Sequence, residues 1–311
     1  MDSTGGGDTM TIPMQYALRR RMMMMTNRIP QLFYYGPAPQ LSAARNRISA
    51  TTVGNYALFG GGWGSGNAKF STVDAYNTAL TRTTPTALSV ERGASAATTV
   101  GNYALFGGGY GSDPLSTVDA YDTSLTRTTP TALSVARSYF AATTVGNYAL
   151  FGGGKDSNSY FLSTVDAYDT SLTRTTPTAL SAARNHLAAT IVGNYALFGG
   201  GSGSDYWSTV DAYDTSLTRT TPTALSAARQ QLAATTVGNY ALFGGGSGSG
   251  SPGHLSTVDA YDTSLTRTTP TALRVAREFL AATTVGNYAL FGGGRDSHYY
   301  FSSTVDAYQV K

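Results

Sequence analysis

At 311 residues, with 36 Gly, 21 Tyr and 13% charged residues, the chain suits short strands and tight turns, and its length fits two average domains or one body of repeated sheets. Its net charge is +3, drawn mostly from one arginine per repeat and a basic N-terminal cluster, which builds no broad stripe for nucleic acid. The absence of cysteine excludes disulfides, cysteine-based zinc sites and thiol nucleophiles, and fits synthesis in a reducing cytosol.

Residues 1–29 differ from everything that follows. Thr11 suits a cap and Pro13 the first turn of a helix running through Leu18 to about Met25, basic in the middle and rich in methionine at its end. Methionine adapts to varied contacts, so the extension is expected either to dock the body onto a larger assembly or to pack on the chain's own body. The run Arg19–Met25 is too short for the apolar core of a secretion signal. No stretch approaches the roughly eighteen apolar residues of a membrane helix. The expectation is synthesis in the cytoplasm without membrane insertion, with a virion or particle surface as the place of work.

From residue 30 onward the chain is a repeat. The string VGNYALFGGG recurs six times, with its first glycine at 54, 101, 146, 193, 238 and 286. The spacings are 47, 45, 47, 45 and 48, and the segments between GGG and the next STVDAY have 8, 6, 8, 6 and 9 residues. Each difference is 39, so a fixed scaffold carries one loop of adjustable length.

Each unit resolves into four short strands. AATTV has the strand period of two (strand A), Gly-Asn gives a two-residue hairpin, and YALFGGG is strand B. After the adjustable loop come STVDAYD, strand C, and then RTTPTAL, strand D, whose proline fits an edge strand. Such a meander cannot bury both faces alone, so six should stack and close into a ring, an all-β six-bladed propeller over residues 30–311. The sixth unit ends without RTTPTAL, while residues 32–45 (LFYYGPAPQLSAAR) align with LTRTTPTALSAAR. Residues 32–41 are therefore expected to supply strand D of the last blade as a clasp.

Over residues 41–308 the repeat resembles the kelch family, with Gly61 and Gly62 after strand B, Asp74 and Tyr76 in strand C, Arg45 before strand A, and equivalents throughout. A tryptophan usual early in the kelch strand D is replaced by threonine in all five internal copies, which puts kelch-type blade packing in doubt. Near-identical, threonine-rich repeats of this sort are also similar to kelch proteins of gut bacteria and their phages.

In a meander, the A–B and C–D turns lie at one end of every blade, and the B–C loop and D–A crossing at the other. The first pair hardly varies. The B–C loops read WGSGNAKF, YGSDPL, KDSNSYFL, SGSDYW, SGSGSPGHL and RDSHYYFS, and the crossings NRI, GAS, SYF, NHL, QQL and EFL. Both tryptophans and all three histidines fall there, among serine, glycine, asparagine and aspartate, the composition of a recognition surface. Loop drift would also give variable loops, but it should touch the other turns equally. The expected ligand-binding residues are Trp63, Tyr110, Tyr139, Tyr160, His186, Trp207, His254, Phe279, Tyr299 and Tyr300.

Six arginines, Arg45, Arg92, Arg137, Arg184, Arg229 and Arg277, recur at the crossings near the central channel. They either tie down loop carbonyls and carboxylates or, as the kelch resemblance suggests, hold an acidic ligand. Six equivalent aspartates, from Asp74 to Asp306, read as structural acceptors, since catalysis needs a unique perturbed pair. GGGKD at 152–156 lacks the residues and following helix of a phosphate loop, and the Asp-Ser fragments at 156 and 296 lack the closing Glu of a calcium loop. No cofactor or metal is expected. The reading is a non-enzymatic module that binds a protein or surface glycan within a phage or bacterial-surface assembly. A ligand-free decoration protein and a glycan-processing enzyme are the alternatives.

Overall fold

The computed structural model describes residues 38–249 and 253–310, which form an all-β propeller arrangement of six antiparallel blades. Blade 1 has strands A Ser49–Val53, B Tyr56–Gly60, C Val73–Asn77 and D Arg82–Thr83, in that spatial order. Blades 2 to 5 repeat it. Blade 6 has A Ala281–Val285, B Tyr288–Gly292 and C Val305–Gln309, a three-stranded sheet among the described residues. Strand D is only two residues long in each of the first five blades because the proline of RTTPTAL removes a ladder donor soon after it begins.

Each blade is tied to the next by the same set of contacts. The strand B phenylalanine of one blade lies over the last strand B glycine of the blade before it; a Cβ on Gly152 would stand 2.9 Å from the Phe198 ring. Within each blade that phenylalanine meets the strand C tyrosine edge-on, as Phe198 meets Tyr213 at 6.0 Å. The tyrosine hydroxyl donates to a carbonyl of the preceding blade's outgoing segment, Tyr213 to Thr178 at 2.7 Å. Threonines bond across neighbouring strands A, as Thr98 to Thr144 at 2.9 Å. These Phe–Tyr pairs stand in every blade although no tryptophan occupies strand D. The buried core is thus a series of apolar clusters shared between adjacent blades.

The sequence leads one to expect a sealed ring. Five junctions pack in this way, and among the described residues none of these contacts joins blade 6 to blade 1. Val285 is 45% exposed where its counterpart Val145 is 0% exposed. A Cβ on Gly286 would meet nothing within 4 Å, whereas one on Gly54 would touch Thr123. Strand D of the sixth unit, expected from residues 32–41, aligns at residues 35 and 36, and these lie outside the described residues. The end of that segment is described: Pro39 accepts from the Tyr76 hydroxyl at 2.8 Å and Ser42 donates to Asp74, the contacts that outgoing segments make at every internal junction. The 1–29 extension and its expected helix also lie outside the described residues.

Candidate functional site

The B–C loops and D–A crossings meet on one face, joined by main-chain pairs. In each blade one crossing residue and one loop residue exchange two N–H to O bonds, Asn46 with Trp63 at 2.8 Å both ways and Glu278 with Arg295 at 3.0 Å both ways. Gly93–Tyr110, Ser138–Lys155, Asn185–Ser202 and Gln230–Ser247 repeat the pairing.

The next residue of each crossing forms an inner rim: Arg47, Ala94, Tyr139, His186, Gln231 and Phe279. All six have left-handed backbone, with φ between 51° and 57°. This conformation turns each N–H toward the preceding blade, so that Ala94 donates to Arg47, Tyr139 to Ala94, His186 to Tyr139, Gln231 to His186 and Phe279 to Gln231, at 2.9–3.2 Å. The ladder therefore runs one way around the rim, with Arg47 and Phe279 at its ends.

The structure brings four of the expected residues together around a fifth that the sequence did not single out. The Arg47 guanidinium lies 4.2 Å from the Trp63 ring and donates to the Tyr139 hydroxyl at 2.6 Å, reaching past the short side chain of Ala94. Trp63 meets Tyr110 edge-on at 6.1 Å, and Tyr139 lies against His186 at 4.7 Å. Burial lowers the His186 pKa to about 4, with Arg47 and Lys155 adding to the shift, so the imidazole is neutral at pH 7. Gly93 makes room for Trp63, since a Cβ there would lie 2.4 Å from the indole Nε1.

A second cluster lies at blades 5 and 6. The Arg295 guanidinium is 5.0 Å from both the Phe279 and Tyr299 rings and donates to buried Glu278 at 2.7 Å; His254 Nε2 is 3.4 Å from the same carboxylate. Tyr160 and Tyr300 stand outside both clusters, 68% and 72% exposed, and Trp207 lies half-buried over Gly203. The three histidines do not converge, and among the described residues no group of three His, Cys, Asp or Glu is placed to hold a metal ion. Arg47, Glu278, Arg295 and the 92%-exposed Phe301 were the residues missed. Arg47, Glu278 and Arg295 each depart from their counterparts at the same position of the repeat, a signal present in the sequence, whereas Phe301 repeats Phe161 and carries no such signal.

The arginines expected near the channel sit inside the blades instead. Arg92, Arg137, Arg184, Arg229 and Arg277 have 0% exposed side chains, and so does Arg45. Each pairs with the strand C aspartate, Arg137 with Asp166 at 2.8 Å, and donates to the strand B phenylalanine carbonyl, Phe151 at 3.0 Å. In the first five blades a strand D arginine takes the other carboxylate oxygen. Burial pulls the pKa of Arg92, Arg137, Arg184 and Arg229 below the ordinary guanidinium value against the opposing pull of their aspartates. Enclosed and paired, these arginines tie loops to the sheet and present no face to an acidic ligand.

No described helix is long and apolar enough to cross a membrane. No family model matches the sequence, and the search of curated proteins finds no match. Among solved structures the chain is similar to the one titled "Structure of YjhT", with 12% identity over 88% of this chain and 97% of that one, at a TM-score of 0.69. At that identity the likeness establishes the propeller architecture alone.

Proposed function

We propose that the chain is a non-catalytic recognition module, a variant of the kelch type, that binds a protein or surface glycan on its loop face as part of a phage or bacterial-surface assembly. One observation carries the reading: the six equivalent rim positions hold six different residues in a chain whose A–B and C–D turns barely change. Glycine would adopt their backbone without strain, and the chain uses 36 glycines elsewhere, yet none stands at the rim. Leu80, Leu125, Leu172, Leu217 and Leu265 also have positive φ, but there the same side chain recurs, and Leu125, Leu172 and Leu217 pack on core clusters. At the rim the side chains vary while the strained backbone is kept, the pattern of a scaffold that holds diverse contacts.

Replacing the B–C loops by Gly-Gly-Ser linkers should change stability by about 1 kcal/mol or less, as for exposed substitutions. Combined with alanine at the rim residues Arg47, Tyr139, His186, Gln231 and Phe279, the loop exchange should abolish retention on a glycan and host-cell array. Retention equal to the parent's would end the proposal. One observation favours a second reading: Glu278 is the single carboxylate at a crossing and has His254 beside it, a pair set apart from its symmetry mates. Turnover of any glycan, lost in Glu278→Gln, would replace binding by catalysis.

A further inference from the structure

Four of the rim crossings line an open cavity of about 280 Å³ whose more buried and more exposed lining residues differ in kind. The more buried are Phe140, Leu187, Leu232 and Leu280, each 7–8% exposed. The more exposed are Tyr139, His186, Gln231 and Phe279, a phenol, an imidazole, a carboxamide and a phenyl ring. We propose that this cavity binds one uncharged sugar ring, the terminal neutral hexopyranose of a glycan. The inference rests on the recognition reading above and names the ligand class for that face.

Three features select this class. An extended peptide binds by adding main-chain hydrogen bonds to an open edge. Here the carbonyls from Arg47 to Gln231 and the N–H groups from Ala94 to Phe279 are already joined to one another, so the rim presents no such edge. An anion would need a free cation in the cavity, and none lines it among the described residues: the Arg47 guanidinium, beside Tyr139, lies over the Trp63 ring and donates to the Tyr139 hydroxyl, the Arg295 guanidinium, beside Phe279, is paired with Glu278, and the crossing arginines are enclosed with their aspartates. A neutral pyranose meets both surfaces. Its C–H face covers the buried apolar residues and Phe279, and its hydroxyls exchange hydrogen bonds with an amide, an imidazole and a phenol, which together both donate and accept. The Tyr139 oxygen already accepts from Arg47, which leaves its own proton to donate. The volume lies just under the range of pockets for drug-sized ligands, which suits one ring and not a chain of them.

The test is saturation-transfer NMR on the full chain. The probes are the methyl glycosides of glucose, galactose and mannose with their N-acetylamino counterparts, the matching uronic acids, and the tripeptide Gly-Tyr-Gly. At least one neutral glycoside should give a saturable signal, at least tenfold stronger in affinity than its uronic acid. Gln231→Met keeps the volume but removes the hydrogen bonds and should weaken binding about tenfold, as should His186→Ala. Ser124→Ala and Ser171→Ala, in exposed C–D turns at the other end of the blades, should bind as the parent does, and thermal melting checks that every variant folds. The assignment is overturned if no neutral glycoside saturates, if uronic acids or the tripeptide bind as well or better, or if Gln231→Met binds unchanged. Array binding that the combined exchange abolishes, together with silent monosaccharides, removes the cavity assignment and leaves the recognition face standing. An empty array together with silent monosaccharides removes both.

Discussion

Blades 3 and 6 share nearly every scaffold residue and differ in what lies beside them. In blade 3 the AATTV strand has Val145 fully buried and Gly152 under the Phe198 ring; in blade 6 the same five residues leave Val285 45% exposed, and the nearest atom to a Cβ on Gly292 would be Val305 Cγ2 at 3.5 Å. Even the ion pairs diverge. Asp166 lies between Arg137 and the strand D residue Arg174, while Asp306 takes its second cation from Arg274, 69% exposed, which stands where the other crossings carry serine. The comparison teaches that a blade's burial belongs to the junction and not to the repeat, as expected where stability is summed from neighbour interfaces.

Substitutions made in parallel in the two blades should have their largest effect at the carboxylate. Asp166→Ala leaves Arg137 buried without its counter-charge and should cost about 3–5 kcal/mol, and Asp306→Ala does the same to Arg277, whose side chain is equally enclosed, so its loss should fall in the same range, both read by denaturant unfolding. A loss near about 1 kcal/mol at Asp306 alone would mean that water reaches Arg277 where the described junctions end. Next comes Gly152→Ala, which forces a methyl against Phe198 and should cost about 1–3 kcal/mol, against a change within about 0.5 kcal/mol for Gly292→Ala. The smallest effect is the acid response of the rim. The folded chain holds the His186 pKa near 4 against an ordinary 6.5, so between those values the unfolded chain binds more protons. Stability should therefore fall as the pH drops from 6.5 to 4 and level off below, by about 1 kcal/mol after solvent screening. His186→Gln should remove that step from a pH series of unfolding curves.

The architecture was legible because the repeat is. A constant 39-residue frame fixed the strands and sorted the turns onto two faces, and the Phe–Tyr pairs and aspartates fell where periodicity put them. The burial of each blade was not legible, because a junction is made by two units and the text of one unit says nothing of its neighbour. The rim was half legible. Tyr139, His186 and Phe279 stood out as aromatic residues in variable segments, whereas Arg47 reads as an ordinary surface cation until the structure lays it between Trp63 and Tyr139. The crossing arginines show the converse, since spacing placed them near the channel but could not reveal that strand C offers each a carboxylate inside the sheet.

The twelve bonds that join loops to crossings run from main chain to main chain, two in each blade. They are indifferent to side-chain identity, so a loop carried from one blade to another, or written afresh, would be held at its root by the same clamp. The molecule is in this respect a six-slot cassette frame, and an engineer seeking new specificity could rewrite the slots singly while the sheets beneath stay as they are.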